Sequence, residues 1–314
     1  MEYRPLGQTG EEVSILSFGA SSLGGVFRDI DEDRAIEAVH TGLDGGMNLI
    51  DVSPFYGLTK AENVLGRALA DVDRDRYLLS TKCGRYGDNP EDFDFSADRI
   101  TRSIDESLQR MGLEYVDILL AHDIEYGDMN QIVDETIPAL EKIKASGKTR
   151  FIGVSGLPLK TLGEAVERSG STLDIVLSYC HYELNDTTLL GWLDQFEAAG
   201  IGVINASPLG MGLLSPREVV DWHPAPADIQ ETCQRAAEYC QEQGESIIKL
   251  AIQFAVRQPR VATTLVGSAN PDNIAKNIQW VDEPVNEELL EEVLKILEPI
   301  QGRTWPSGNV TDVD

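Results

Sequence analysis

The sequence predicts an α/β fold: a (β/α)8 TIM barrel with an N-terminal β-hairpin and an extra C-terminal helix. Short apolar runs alternate with longer amphipathic segments, and this alternation repeats eight times along the chain. The short runs are almost continuously apolar, which is typical of strands buried on both faces of a parallel sheet. Eight such units in 314 residues suit a barrel. A doubly wound parallel sheet is the alternative architecture.

The elements follow from this pattern in chain order. Residues 3–6 and 12–15 flank a turn that contains Gly7 and Gly10, so they are predicted to pair as a hairpin. The barrel strands are predicted at residues 16–20, 49–51, 77–82, 116–122, 150–154, 173–178, 202–205 and 261–266. The helices are predicted at residues 31–44, 60–70, 96–111, 134–145, 159–168, 187–199, 228–243, 246–257 and 271–280, with the extra helix at 286–297. Thr59 is the predicted N-cap of the second helix.

Composition narrows the class of protein. Hydrophobic residues make up 42% of the chain, which is enough to form a globular core. No run reaches the roughly 18 apolar residues that span a bilayer, and the N-terminus does not resemble a secretory signal. The four cysteines indicate neither a disulfide framework nor a zinc site. Since no Pro-, Gly- or Ser-rich linker divides residues 1–314, we expect a single domain. From the cysteines, the apolar runs and the N-terminus together, we expect a cytoplasmic protein with no membrane anchor and no metal centre.

The charge of the chain bears on its partners. The formal charge of −27 comes from 53 acidic and 26 basic residues. The electrostatic field of so negative a protein repels the phosphate backbone of nucleic acids, so nucleic acid is not an expected partner. The acidic excess is typical of a well-solvated surface, and also of adaptation to high salt, where screening removes the self-repulsion. Composition leaves both interpretations open, and it leaves the oligomeric state, monomer or dimer, open as well.

Four titratable residues of different kinds follow neighbouring predicted strands. Asp51, Lys82 and His122 end strands two, three and four, and Tyr56 lies in the loop after strand two. Barrel enzymes place their active sites at these strand ends. A lysine ammonium stabilises a nearby phenolate, and a carboxylate holds that lysine charged and in place. The set therefore predicts a tyrosine that exchanges a proton with a carbinol or carbonyl oxygen near neutral pH, while the histidine orients that oxygen.

Several segments resemble the aldo-keto reductase family. Residues 48–57 resemble the family signature around its catalytic Asp and Tyr, and residues 80–82 and 117–122 resemble the strands that carry its catalytic Lys and His. The resemblance covers essentially the whole chain. It implies that Tyr56, Asp51, Lys82 and His122 are the catalytic residues and that a nicotinamide cofactor takes part in hydride transfer.

The resemblance also implies a cofactor site. Residues 206–213 resemble the pyrophosphate loop of the family, and residues 266–268 with Asn277 resemble its segment for the adenosine end. The implied cofactor-binding residues are Ser155, Tyr179, Ser207, Leu209, Gly210, Gly212, Leu213, Gly267, Ser268, Asn273 and Asn277.

Departures from the family pattern bear on the choice of cofactor. Gly156 stands where many members have Asn, and Ala206 stands where they have a Tyr, so Tyr179 is expected to stack on the nicotinamide instead. Gly267 and Asn273 stand where NADP-using members commonly carry Lys and Arg. Without a cation at these positions, and in an acidic field, we expect NAD rather than NADP.

Further segments resemble the aldose dehydrogenases within this family, at residues 82–86, 93–96, 122–125, 178–182, 222–225 and 305–308. They imply oxidation of a small-molecule sugar at C1 to its lactone, with Tyr56 as the general base. L-galactose is the expected sugar, and L-fucose and other aldoses remain open. The implied sugar contacts are Asp123, Glu125, Tyr86 and Trp305. The alternatives are an NADPH-dependent aldehyde or ketone reductase and a non-enzymatic regulator similar to the potassium-channel β-subunits of the same fold.

Overall fold

The structure, a computed structural model, describes residues 1–310. The strands in this range are β1 (Tyr3–Pro5), β2 (Glu12–Ser14), β3 (Leu16–Gly19), β4 (Leu49–Asp51), β5 (Leu78–Cys83), β6 (Val116–Ala121), β7 (Thr149–Gly156), β8 (Ile175–Tyr179), β9 (Gly202–Ala206) and β10 (Thr263–Val266). Strands β3 to β10 are parallel and close into a barrel in chain order, with β10 paired to β3. Strands β1 and β2 form an antiparallel hairpin. The predicted barrel and hairpin are therefore confirmed.

The helices surround the barrel. They are α1 (Glu32–Asp44), α2 (Lys60–Leu69), α3 (Ala97–Met111), α4 (Met129–Gln131), α5 (Ile137–Ala145), α6 (Leu159–Ser169), α7 (Leu193–Ala198), α8 (Ala227–Glu242), α9 (Ile247–Val256), α10 (Pro271–Val281) and α11 (Glu287–Leu297). Asp31 caps α1 by accepting from two backbone N–H groups, and Ser246 caps α9 in the same way with one. Such caps satisfy N–H groups that have no partner within the helix. Within residues 1–310, no helix has the length and apolarity needed to cross a membrane.

The hairpin closes one end of the barrel. Leu6 and Val13 are fully buried among side chains of the barrel interior, such as Leu49 and Ile118. Leu6 packs directly against Gly202, the first residue of β9, which places the hairpin at the N-terminal ends of the strands. The opposite end, where the strands finish, is therefore the end available to a ligand.

A second apolar cluster connects the C-terminal part of the chain to this open end. Helices α8, α9 and α11 share the cluster with Trp305, which follows α11, the predicted extra helix. Trp305 is 4% exposed and also lines the cavity described below. The last described residues thus return to the mouth of the barrel.

Two predicted helices begin differently from the sequence-based expectation. The helix predicted at 134–145 starts as the α4 turn and a π-helical turn, Ile132–Thr136, before α5. Pro138 has no backbone N–H and cannot donate the hydrogen bond that an α-helical turn requires. The wider π turn just before it does not need a hydrogen bond from this residue. The helix predicted at 187–199 starts as a 3-10 helix, Thr188–Trp192, followed by α7.

Thr59 is the N-cap residue of α2, as predicted, but its side chain does not cap the helix. Thr59 precedes the helix, but its φ of 75° is left-handed and its side chain makes no capping hydrogen bond. Gly57 and Leu58 also have positive φ, of 62° and 50°. The backbone N–H of Thr59 donates instead to the carbonyl oxygen of Pro54 at 2.7 Å. Three consecutive left-handed residues thus make a sharp turn directly after Tyr56, a conformation that Leu and Thr seldom adopt.

Candidate active site

A cavity of about 660 Å³ lies at the open end of the barrel. Strand β4 ends at Asp51, β5 carries Lys82 near its end, and His122 follows β6. Tyr56 enters from the loop after β4, and all four side chains line the cavity. The structure therefore brings together the four residues that the sequence predicted to be catalytic.

Lys82 is the centre of a buried network. Its side chain is 1% exposed, and that of Asp51 is 3% exposed. The Lys82 Nζ atom donates to the Asp51 carboxylate, to the Val52 carbonyl oxygen at 3.0 Å and to the Tyr56 hydroxyl at 3.2 Å. Burial lowers the pKa of Lys82, but Asp51 and Tyr56 together raise it above its usual value. The ammonium is therefore charged at neutral pH, with an acceptor for each of its three protons.

Tyr56 has a pKa above the usual tyrosine value. Burial raises this pKa most, the Lys82 ammonium lowers it, and the Asp51 carboxylate raises it again. The lysine acts in the predicted direction, but burial outweighs it. The expectation that the protein's own side chains prepare Tyr56 for proton exchange near neutral pH is therefore corrected. The phenolate form that a general base requires grows only at alkaline pH.

A close approach of two loops fixes the position of Tyr56. A Cβ atom at Gly57 would lie 2.1 Å from the carbonyl oxygen of Gly24, which belongs to the loop after β3. A Cβ atom at Gly24 would lie 2.6 Å from the carbonyl group of Tyr56. Only glycine fits at both places without moving the backbone. The loops after β3 and β4 thus hold the tyrosine edge-on to the His122 ring, with ring centroids 5.8 Å apart.

His122 is held as a neutral ring. Burial, followed by the positive charges of Lys82 and Arg85, keeps the pKa of His122 well below its usual range. Its Nδ1 atom lies 3.0 Å from the Ser53 hydroxyl, which also accepts the backbone N–H of Phe55 at 3.1 Å. We assign the ring proton to Nε2, because the Ser53 hydroxyl then donates to Nδ1. In this tautomer Nε2 donates toward an oxygen in the cavity.

Arg85 lines the cavity, although the sequence did not identify it as a site residue. It donates to Asp123 Oδ2 at 2.6 Å and to Asp88 Oδ1 at 3.0 Å. Its guanidinium lies over the Phe55 ring, 3.6 Å from the centroid. Burial raises the pKa of Asp123 and Arg85 lowers it, with a net rise. The available signal was its place in residues 82–86, one of the segments that resemble aldose dehydrogenases.

The predicted cofactor residues lie in two groups, and three residues of the first group line the cavity. Ser155, Tyr179 and Ser207 line it. The loop after β9 holds the rest of this group, Leu209, Gly210, Gly212 and Leu213, and φ is positive at Ser207, Gly210, Met211 and Gly212. Within the loop, the N–H groups of Gly210, Gly212 and Leu213 donate to the carbonyl oxygens of Ser207, Leu209 and Gly210, so the loop is held by its own hydrogen bonds. A Cβ atom at Gly212 would have no neighbour within 4 Å, so the loop is open at this residue.

The second group follows β10. A Cβ atom at Gly267 would lie 2.0 Å from the carbonyl oxygen of Gly19, so this position admits no side chain. Ser268 Oγ accepts from the backbone N–H of Asn270 and from Asn273 Nδ2, each at 3.2 Å. Asn277 is 5% exposed on α10. These residues frame the start of α10, where the resemblance implies the adenosine end of the cofactor.

A cation that sequence reasoning missed lies at this end. Arg34 of α1 donates to Asn270 Oδ1 at 2.8 Å and pairs with Asp272 at 3.0 Å. The sequence argument considered only positions that follow β10, whereas Arg34 reaches this place from a distant helix. Because the Asp272 carboxylate balances the Arg34 charge, the pair adds no net positive charge.

Asp123 and Trp305, two of the four predicted sugar contacts, line the cavity. Tyr86 does not lie in the cavity wall. Its hydroxyl accepts the backbone N–H of Gly84 at 3.0 Å, and its ring packs under the Arg99 guanidinium at 3.6 Å. The turn after β5 therefore directs Tyr86 toward α3, while Arg85 takes the place facing the cavity.

Glu125 is also absent from the cavity wall and lies beneath the last described residues. Its carboxyl oxygen Oε1 accepts from the Ser307 hydroxyl at 2.8 Å and from the Leu157 N–H at 3.2 Å. Its carbonyl oxygen accepts the N–H of Asn309 at 2.9 Å. Burial and the neighbouring Asp123 raise the pKa of Glu125 to about 8. The predicted sugar contact is thus an anchor for the segment that carries Trp305.

Aromatic rings cross the entrance to the cavity. Phe27 and Trp222 come from the loops after β3 and β9, with ring centroids 5.7 Å apart. Trp222 stacks on His223, whose ring meets Trp305 edge-on at 5.2 Å. Such rings offer apolar faces beside the polar groups of the cavity. Sequence reasoning named only Trp305, although Trp222 and His223 occur in residues 222–225, another segment that resembles aldose dehydrogenases.

Comparison with known proteins agrees with this fold. The profile of the Aldo/keto reductase family matches residues 15–298. The chain is 46% identical to L-galactose dehydrogenase of Arabidopsis thaliana over 315 residues, which cover 98% of each protein. It is 32% identical to D-arabinose 1-dehydrogenase of Saccharomyces cerevisiae, over 78% of this chain and 76% of that protein.

A solved structure of an aldo-keto reductase has the same fold. The holo form of an aldo-keto reductase from Bacillus halodurans superposes with a TM-score of 0.79 at 25% identity, over 99% of this chain and 100% of that one. The fold and these likenesses define a barrel oxidoreductase. The chain belongs to the aldo/keto reductase family, whose members use nicotinamide cofactors.

Proposed function

We propose that this protein oxidises an aldose at C1 to the lactone with NAD, and that L-galactose is its sugar. The observation that carries the proposal is the hydrogen bond from the Lys82 ammonium to the Tyr56 hydroxyl, beside a neutral His122 at the cavity. The likeness to a protein named L-galactose dehydrogenase supports the choice of sugar. The likeness to a D-arabinose 1-dehydrogenase supports aldose oxidation at C1.

Each of the four central residues has one task in this proposal. Tyr56 is the general base that takes the proton of the anomeric hydroxyl. Lys82 lowers the pKa of Tyr56 against the effect of burial, and Asp51 keeps Lys82 charged and in place. His122 donates from Nε2 to the C1 oxygen and orients it.

The reaction breaks the O1–H and C1–H bonds of the cyclic sugar and forms the C1=O1 double bond. The proton passes to Tyr56, and the nicotinamide supplies the acceptor for the hydride. Because the ring oxygen stays bonded to C1, the product is a lactone. Ser155, Tyr179 and residues 207–213 would hold the cofactor, with the loop after β9 beside its pyrophosphate.

Two features at the adenosine end support NAD over NADP. Gly267 admits no side chain, so no cation can be placed there without moving the backbone. The charge of Arg34 is balanced by Asp272, and a 2′-phosphate would have to compete with that carboxylate. An NAD ribose carries no such phosphate and needs no additional cation.

We also propose that residues 1–314 act as one domain in the cytoplasm. The four cysteines are buried free thiols, which supports a reducing compartment. Imaging of a fluorescent fusion tests this: a diffuse cytoplasmic signal is expected, and a signal confined to an organelle or secreted would contradict it.

A panel of sugars and cofactors tests the proposed function. NADH or NADPH formation is measured with L-galactose, L-fucose, D-arabinose and D-galactose, each with NAD and with NADP. We expect steady turnover with NAD and the highest kcat/KM with L-galactose. Absence of sugar oxidation, together with steady NADPH consumption on simple aldehydes or ketones, would contradict the proposal.

A further inference from the structure

We propose that Asp123 binds the hydroxyl group on the carbon next to the reacting carbon, so that the site recognises a neutral 1,2-diol unit of the aldose. This inference rests on the proposed function, and it names which part of the sugar is recognised. The observation behind it is a carboxylate oxygen of Asp123 that has no hydrogen-bond partner among the described residues, on a side chain that lines the cavity.

The two oxygens of Asp123 differ in their surroundings. Oδ2 accepts from the Arg85 guanidinium at 2.6 Å. Oδ1 is buried and has no hydrogen-bond partner among the described residues. The side chain is 3% exposed and lines the cavity. A buried acceptor without a donor is costly, and a hydroxyl of a bound ligand would satisfy it.

The position of Asp123 identifies that hydroxyl. Asp123 Oδ2 lies 3.6 Å from His122 Nε2, the atom that orients the C1 oxygen in the proposed reaction. Asp123 has a left-handed backbone with φ of 52°, and its carbonyl oxygen accepts the N–H of Tyr126 at 3.0 Å, so a tight turn holds it there. Neighbouring oxygens on a sugar ring are close enough to be held by two adjacent side chains. With O1 on His122, O2 is the hydroxyl within reach of Asp123.

The charges around the cavity favour a neutral ligand. Among the described residues that line it, the side chains that carry positive charge are Lys82 and Arg85. Lys82 uses its donors on Asp51, Val52 and Tyr56. Arg85 donates to Asp123, to Asp88 and to the Gly87 carbonyl oxygen at 3.3 Å, and one face covers the Phe55 ring. Lys82 therefore has no donor left for a sugar phosphate or a sugar acid. The charge of Arg85 is balanced by the carboxylates of Asp88 and Asp123, which repel such an anion.

A substrate and variant cycle tests the contact. The kcat/KM with NAD is measured for L-galactose, its 2-deoxy analogue and L-fucose, which is the 6-deoxy analogue and serves as the matched control. The wild type is compared with Asp123→Ala and with Asp123→Asn, which keeps an acceptor oxygen. The cycle matters because removing the 2-hydroxyl also changes the intrinsic reactivity of C1, and this change is the same in all three proteins.

We expect the wild type to lose about tenfold or more on the 2-deoxy sugar and much less on L-fucose. In Asp123→Ala this discrimination against the 2-deoxy sugar should shrink toward the intrinsic difference, and Asp123→Asn should retain part of it. D-arabinose 5-phosphate should be turned over far more slowly than D-arabinose by the wild type.

An unchanged ratio of 2-deoxy to parent sugar in the variants would overturn the inference. If Asp123→Ala does not fold, the same comparison is made with Asp123→Asn, and an unchanged ratio there has the same meaning. If the wild type oxidises none of these aldoses, the proposed function fails and the inference fails with it, which distinguishes this outcome from a failure of the Asp123 contact alone.

Discussion

The Lys82 ammonium lies 3.2 Å from the Tyr56 hydroxyl while it also holds the Asp51 carboxylate. Burial raises the pKa of Tyr56, and the lysine lowers it without cancelling the rise. The fraction of phenolate, and with it the rate of proton removal from a sugar hydroxyl, is therefore set by the balance between these two effects.

This balance predicts a pH profile. We expect kcat/KM for aldose oxidation with NAD to rise with pH through the neutral and mildly alkaline range, by about tenfold per unit while the phenolate is the minor form. Steady-state kinetics in buffers of constant ionic strength measure it. A profile that is flat across the neutral range would contradict a base with a raised pKa.

The control for this profile is Tyr56→Phe, which removes only the transferable proton and its oxygen. The variant should lose roughly 100-fold or more in kcat, while its affinity for the cofactor, measured by fluorescence titration, stays close to that of the wild type. Turnover near the wild-type rate would rule out Tyr56 as the general base.

The cofactor preference should depend on Asp272. The wild type is expected to have a higher kcat/KM with NAD than with NADP. Asp272→Asn removes the carboxylate that occupies Arg34 and should raise the NADP-to-NAD ratio of kcat/KM several-fold. Asp98→Asn is the matched control, because Asp98 is likewise an exposed acid in the first turn of a helix, α3. Equal use of both cofactors by the wild type would show that another cation binds the 2′-phosphate.

Glu125 should make the protein less stable as the pH rises. The pKa of this carboxyl is about 8 in the folded protein, against an ordinary value of 4.5. Between these values the folded state keeps a proton that the unfolded state has lost, so the free energy of unfolding falls as the pH rises. Glu125→Gln removes this proton linkage.

We expect the variant to gain stability relative to the wild type from about pH 5 to pH 8, by up to about 1.4 kcal/mol per pH unit. Urea unfolding at several pH values measures the difference. Glu141→Gln, at an exposed position of α5, is the control and should run parallel to the wild type. A Glu125→Gln curve that also runs parallel would mean that Glu125 is ionised in the folded protein.

The acidic surface predicts stabilisation by salt. The chain has 53 acidic and 26 basic residues, so its net charge of −27 makes the folded state repel itself. Added NaCl should raise Tm, mostly below about 0.5 M, since the screening length is then only a few Å. A rise that continues into molar salt would indicate halophilic adaptation. A Tm that stays flat or falls on the first addition of salt would refute the repulsion argument.

The sequence predicted the barrel and the four central residues because both depend on the ends of apolar runs. Parallel strands in a closed barrel bring their carboxyl ends together, so Asp51, Lys82 and His122 had to meet if the strands were assigned correctly. An error of one residue in a predicted strand boundary still leaves these three side chains at the same end of the barrel. Tyr56 lies five residues beyond β4, close enough to reach the same cavity.

Side-chain direction in loops was not predictable in this way. Tyr86 and Arg85 are adjacent, yet the turn after β5 sends the tyrosine toward α3 and the arginine into the cavity. The left-handed Thr59 breaks the usual preference of its residue type. Arg34 reaches α10 from a helix more than 200 positions earlier, and only the folded arrangement shows the contact.

The most direct test of the central claim is the identity of the oxidised carbon. L-galactose labelled with 13C at C1 is incubated with the protein and NAD, and the product is followed by carbon NMR together with NADH formation. We predict that the anomeric signal is replaced by a lactone carbonyl signal, with one NADH formed for each lactone. An unchanged anomeric signal, or NADH formation with oxidation at another carbon, would contradict the account.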